Sequence, residues 1–246
     1  MKFVARPEQR ERRFVRPSSQ MACALAALLF FSQALAADVD TVLPVDRGSR
    51  RTPPSNTFVS NVTFVVFDTE TTGFSPTTDR IVEVAAVRFR NGKVLDEKSW
   101  LINPQRGIPS WAYRVHGISE QMVKDQPTFR QFYPEFQKFI GDSVLIAHHA
   151  QFDIAFLSEE AKRAGYDLPG NRVIDSLGLF RRWFPGSRSY SLEVLVQYTR
   201  VDADSFHRAL TDSMHVFRIF GKGLADREPG VKLGDLYTAS GGPLRF

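Results

Sequence analysis

The seven residues Val62–Asp68 (VTFVVFD) are apolar or β-branched up to the last, and Thr71-Thr72-Gly73 breaks the run. That length and composition predict a buried strand. Arg80–Arg90 (RIVEVAAVRFR) then alternates apolar and polar side chains, as a half-buried strand does, and runs into Asn91-Gly92. Asn-Gly is the dipeptide best suited to a tight hairpin, so Lys93–Asn103 is expected to return as the third strand of a meander. Beyond it the period changes. Phe129, Phe132, Tyr133, Phe136, Phe139 and Ile140 recur at helical spacing, and Pro134 is expected to kink or split that helix. Ser143–Ala147 reads as a buried strand, Phe152–Ala164 as a helix and Val173-Ile174 as a short strand. Leu177–Trp183, Leu192–Tyr198 and Ala209–Phe220 read as helices. A meander followed by alternating helices and strands predicts an α/β domain, a mixed sheet with helices on its faces.

Charge needs to be located before it is interpreted. The net charge is +5 and the pI about 9.5, which looks like a nucleic-acid signal. Yet residues 1–55 hold nine basic and five acidic residues, leaving 23 basic against 22 acidic in the rest. The folded part is therefore near neutral, which still permits nucleic-acid binding if acids cluster in one pocket with basic groups around it. Phe occurs 21 times, suggesting a core packed on large rings. The single cysteine, Cys23, excludes an internal disulfide and a cysteine-based zinc site.

Residues 1–20 are rich in Arg, Met21–Phe31 (MACALAALLFF) is unbroken apolar sequence, and Ala34-Leu35-Ala36-Ala37 follows. This order resembles a secretory signal peptide, and the apolar run is short of the roughly 20 residues that span a membrane. Residues 1–37 are thus expected to be a leader directing export to the periplasm or beyond; with a different start, the location would be cytoplasmic. Residues 38–59, with Pro44, Pro53 and Pro54, read as a linker. Residues 60–221 are the expected folded domain, and the Gly-rich residues 222–246 a loosely packed tail, with a partner tether as the alternative.

Asp68 and Glu70 lie two apart at a strand end, so their carboxylates share a face. Such acids repel unless something positive lies between them. A hard divalent cation, Mg²⁺ or Mn²⁺, is the natural partner, although a solvated strand end before a turn would read the same. Asp153 opens a helix, where an acid often serves as a cap, and Asp175 is read as a cap outright. His207 and Asp212 are five apart, about 140° off a common helix face. They can serve one site only if His207 sits in the loop before the helix, where a mobile histidine suits acid–base work at neutral pH.

VVFDTETTGFSP, LIAHHAQFDIAFL and HRALTD occur in that order along the chain. Together they resemble the DnaQ-like, DEDDh class of 3′→5′ exonucleases, which includes the proofreading epsilon subunit of bacterial DNA polymerase III. The resemblance covers about residues 60–221, including DRIVEVAAV and NPQRGIPSWAYRVHGIS. It implies a ribonuclease-H-like fold, a mixed five-stranded sheet flanked by helices. It also implies two divalent ions and release of 5′-mononucleotides from the 3′ end of DNA or RNA, with single-stranded DNA the expected substrate. In that scheme Asp68 bridges both ions, Glu70 and Asp212 complete the site, Asp153 holds the second ion, and His207 takes a proton from the attacking water. Thr71, Thr72 and Gly73 resemble the turn that holds the terminal nucleotide. Phe74, where the family often has leucine, is a candidate wedge against the last base. His149 stands where the family usually has the asparagine that positions the scissile strand; it can still donate a hydrogen bond. His116 is expected to be structural or beside the pocket, and His215 to lie on a helix surface. The competing readings are a nucleic-acid-binding module without turnover and a proofreading subunit bound to a DNA polymerase.

Overall fold

The computed structural model describes residues 52–203, 205–227 and 229–246; the expected leader and the first part of the expected linker lie outside the described residues. Its centre is β1 (Thr63–Thr71), paired antiparallel to β2 (Ile81–Arg90), which continues through the Asn91-Gly92 turn into β3 (Lys93–Leu101). Both turn residues have positive φ, as a type I′ hairpin requires. On its other edge β1 pairs parallel with β4 (Val144–Ala147), and β4 pairs parallel with β5 (Arg172–Asp175). The helices are α1 (Ser110–His116), α2 (Glu120–Val123), α3 (Phe129–Ile140), α4 (Gln151–Ala164), α5 (Ser176–Trp183), α6 (Leu192–Thr199), α7 (Ala209–Ala225) and α8 (Leu233–Ala239).

Strand parity sorts the core. Phe64 and Val66 of β1 point to the side covered by α5–α8, where they meet Phe180, Leu195, Ile219 and Phe220. Val65 and Phe67 point to the opposite side, against Phe132, Phe136 and Phe156 of α3 and α4. A strand buried on both faces lacks polar alternation, which is why VTFVVFD is continuously apolar. Pro134 neither splits α3 nor leaves its acceptor idle. The Arg130 carbonyl, which residue 134 cannot reach without an N–H, takes the Tyr166 hydroxyl at 3.0 Å.

Among the described residues the sheet has six strands, in the order β3-β2-β1-β4-β5-β6, rather than the five expected. The sixth, β6 (Leu244–Arg245), comes from the supposed tail and pairs antiparallel with β5. The expectation of loose packing over residues 222–246 is therefore corrected. Helix α7 runs on to Ala225, and Leu233, Leu236 and Tyr237 of α8 are buried in the core. Their i, i+3, i+4 spacing is helical, but the flanking glycines obscure so short a stripe. The end of the supposed linker is also part of the fold. Leu233 N–H donates to Thr57 O at 2.9 Å, Gly234 N–H to Ser55 O at 2.8 Å, and Val59 N–H to Val231 O at 3.0 Å. Among the described residues no helix is long and apolar enough to cross a membrane.

Candidate active site

The parity that buries Phe64 and Val66 under α7 carries on to Asp68 and Glu70, so both acids emerge at the strand end on that helix's side. Asp212, in the first turn of α7, completes the group. One carboxylate oxygen from each of Asp68, Glu70 and Asp212 lies within 4.8 Å of the others. Asp212 Oδ1 is buried and accepts no hydrogen bond. An all-oxygen set so close, with an unused buried acceptor, fits a hard divalent cation. Asp153 reaches the site from the other side of the sheet. It sits on α4, is almost fully buried, and accepts the Thr69 hydroxyl at 2.7 Å, Thr69 having the opposite parity. It stands beside the three-carboxylate group rather than within it.

The electrostatics are those of crowded acids out of water. Burial first, then Asp153, Glu70 and Asp212, push Asp68 well above the usual carboxyl range. Burial and Asp212 raise Glu70 to about 8. Burial raises Asp153 to about 7 against the Thr69 hydrogen bond, and raises Asp212 to about 6 against the nearby His207.

His207 lies in the loop before α7, where it must sit if it shares a site with Asp212, with φ 63° and a side chain 53% exposed. Its backbone N–H donates to Asp212 Oδ2 at 3.1 Å, and its Nε2 stands 3.7 Å from Glu193 Oε1. Two residues around it have places that the sequence reading missed. Glu83, opposite Glu70 in the β1–β2 register, is buried. It takes Arg208 Nε at 3.1 Å and Nη2 at 2.8 Å, the Ala209 N–H at 3.2 Å and the Ser99 hydroxyl at 2.7 Å. Burial would raise Glu83, but these bonds outweigh it and hold the carboxyl below its usual range. The start of α7 is thereby bolted to β2, which sets Asp212 and the His207 loop. His215 is the second. It is fully buried, not on the helix surface as expected, with Nδ1 3.5 Å from Asp212 Oδ1 and its ring 4.6 Å from that of Phe206. It lies one turn beyond Asp212, on the face that α7 turns inward.

The rim is formed by the turn after β1. The Thr71 hydroxyl donates to Gly73 O at 2.6 Å, and Thr72 exchanges backbone and hydroxyl bonds with Arg80. A Cβ at Gly73 would collide with the Asp79 carboxylate, which also takes the Ser75 N–H at 3.0 Å. Phe74 projects from this turn, 78% exposed, and stacks on Trp111 of α1. His116 is buried; its Nδ1 accepts the Ile118 N–H at 3.0 Å and the ring faces the Thr71 backbone. His148 is interior, held by Ser176 and the Tyr190 carbonyl. Exposed His149 is not brought into the carboxylate group. It has φ 61°, and its N–H donates to Asp175 Oδ1 at 3.0 Å. Asn and His are both enriched in that left-handed conformation, so the backbone accepts either. Asp175 also takes the Leu177 N–H at 3.0 Å, the cap expected of it.

The sequence profile of the RNase_T exonuclease family matches residues 65–220. The chain belongs to this exonuclease family. DNA polymerase III subunit epsilon of Rickettsia felis is 39% identical over 186 residues, 72% of this chain and 80% of that protein. The PolC-type DNA polymerase III of Caldanaerobacter subterraneus subsp. tengcongensis is 39% identical over 170 residues, 69% of this chain but only 12% of the polymerase. The chain thus corresponds to a small part of such polymerases. Among solved structures, Exonuclease X in complex with 5′ overhanging duplex DNA superposes with a TM-score of 0.58 at 27% identity, over 72% of this chain and 99% of that one. Exonuclease I shares the fold, with a TM-score of 0.61 at 20% identity over 68% of this chain and 42% of the other.

Proposed function

We propose that this chain is a 3′→5′ exonuclease that removes 5′-mononucleotides from unpaired 3′ ends, DNA before RNA, with Mg²⁺ or Mn²⁺. The observation that carries the reading is the close group of Asp68, Glu70 and Asp212, in a chain whose family is that of exonucleases. Asp68, Glu70 and Asp212 would hold a divalent cation, and Asp153 would add its charge at a second position. Bound cations supply the positive charge that neutralises the carboxylates and scissile phosphate and eases ionisation of the attacking water. His207 accepts that water's proton, its exposed loop letting it approach the substrate. Glu83 and Arg208 hold the loop and Asp212 in register. Thr71–Gly73 present the turn against which the terminal nucleotide lies.

Two substitutions separate the parts. Asp68→Ala is expected to abolish metal-dependent nucleotide release from a 3′-labelled single strand. His207→Ala is expected to lower kcat about 10²–10⁴-fold, the usual worth of a general base, while metal binding by titration calorimetry is retained. Activity surviving both changes would defeat the mechanism. Similarity to epsilon subunits supports a polymerase partner as a further reading, tested by co-purification with the polymerase of the same cell. The signal-like leader supports export. N-terminal sequencing of the mature protein is expected to begin near Asp38, and a chain beginning at Met1 or Met21 would refute it.

A further inference from the structure

Phe74 is the most exposed large hydrophobic residue among those described, at 78%. One of its faces is nevertheless covered. Trp111, itself 39% exposed, lies with its ring centroid 5.0 Å away and its plane inclined by 16°. Phe74 belongs to the turn that follows the acids of β1, and Trp111 belongs to α1, whose leading segment is tied to that turn. The segment leading into α1 is joined by Arg106, whose guanidinium meets the Thr78 carbonyl and Asp79 Oδ1. At the end of α1, His116 is buried with its ring toward the Thr71 backbone. Trp111, Arg114 and Val115, at i, i+3 and i+4, form one exposed face of α1 beside the pair.

Trp111 is thus not an isolated surface ring, because the segment before its helix is tied to the same turn that carries Phe74. From this geometry we infer that Trp111 is a positioning residue for substrate, an inference that rests on the exonuclease reading above. It backs Phe74 so that the free Phe74 face presents a rigid surface to the 3′-terminal base, with the Arg114 cation alongside for the strand. Stacking on a ring requires only a π-face, so any base is accepted. A base must leave its pair to offer that face, so the platform selects frayed or single-stranded ends over closed duplex ends.

The test uses the full chain with Trp111→Ala and Trp111→Phe. On a 3′-labelled single strand, Trp111→Ala should raise KM about tenfold, the worth of one base stacked on an aromatic, with kcat within about twofold. Trp111→Phe should restore most of the loss. The preference for single strands over a blunt hairpin should fall in parallel for Trp111→Ala. A second readout needs no turnover. With Ca²⁺ in place of Mg²⁺, oligothymidylate should quench tryptophan emission, and Trp111→Phe should lose the quench. The other tryptophans sit away from the rim, Trp100 among Phe132, Phe136 and Phe139, and Trp183 beneath Arg227. Unchanged KM and strand preference in an active Trp111→Ala enzyme would overturn the inference and leave the exonuclease intact. An inactive wild type would instead defeat the exonuclease reading, while loss of the quench in Trp111→Phe would still support the platform.

Discussion

Asp68→Asn replaces a carboxyl whose ionised form the metal-free protein strongly disfavours. Burial and four neighbouring carboxyls, those of Asp153, Glu70, Asp212 and Glu83, disfavour the ionised side chain, and the neutral isostere relieves that cost. Asp68→Asn should therefore raise the melting temperature in EDTA, by about 2–4 °C for each kcal/mol gained, while losing activity. A scan of both proteins in EDTA checks this, and a lower melting temperature for the variant would contradict it. Glu83 behaves in the opposite way. Its carboxylate is buried and answered by Arg208, Ala209 and Ser99. Breaking a buried pair costs about 3–5 kcal/mol. The Arg208 side chain is 41% exposed, and this exposure places Glu83→Gln nearer to about 2 kcal/mol. Because Asp212 follows within one turn, kcat should fall too, although Glu83 touches no substrate. Denaturant melts alongside kcat decide the point; an unfolding midpoint like that of wild type would remove Glu83 from this role.

At the level of elements, the convergence of Asp68, Glu70 and Asp212 follows from local pattern, whereas what surrounds them does not. A buried strand that ends on two acids two residues apart has one geometric outcome, and β1 shows it. For His207 and Asp212 to share a site, their five-residue gap needed a loop histidine, and α7 begins at Ala209. Glu83 gave no such signal, since an acid in an alternating strand looks solvent-facing until a partner 125 residues away, Arg208, covers it. His215 shares a helix face with Asp212, but whether that face looks inward depends on α7 crossing the sheet, a tertiary fact. Trp111 lies in a stretch without apolar periodicity. The tail failed for a related reason, because two short elements have meaning only against β5 and α5. Truncation after Val231 should remove Leu233, Leu236 and Tyr237 from the core, each worth about 1.5–3 kcal/mol, and uncover the β5 edge. The shortened protein is expected to melt far lower or aggregate. A melting temperature equal to that of the full chain would restore the picture of a dispensable tail.

For the whole molecule, the acids make stability depend on pH and metal together. Their folded values, about 6 for Asp212, 7 for Asp153 and 8 for Glu70, lie above the usual 3.8 and 4.5. Between pH 4 and 8 these three groups therefore bind more protons in the folded protein than in the unfolded chain, and their contribution to metal-free stability falls as pH rises. A divalent cation must displace those protons at low pH, so its stabilising effect should be larger at pH 8 than at pH 5. Melting curves with EDTA or Mn²⁺ at the two pH values measure this, and a metal increment equal at both would contradict it. The most direct measurement of the central claim is mass spectrometry of the products from a 5′-labelled single-stranded DNA incubated with Mg²⁺. Strands shortened one nucleotide at a time from the 3′ end, with free 5′-mononucleotides, are expected, and no products in EDTA or with Asp68→Ala. Internal cuts, 3′-mononucleotides, or undiminished cleavage in EDTA would contradict it.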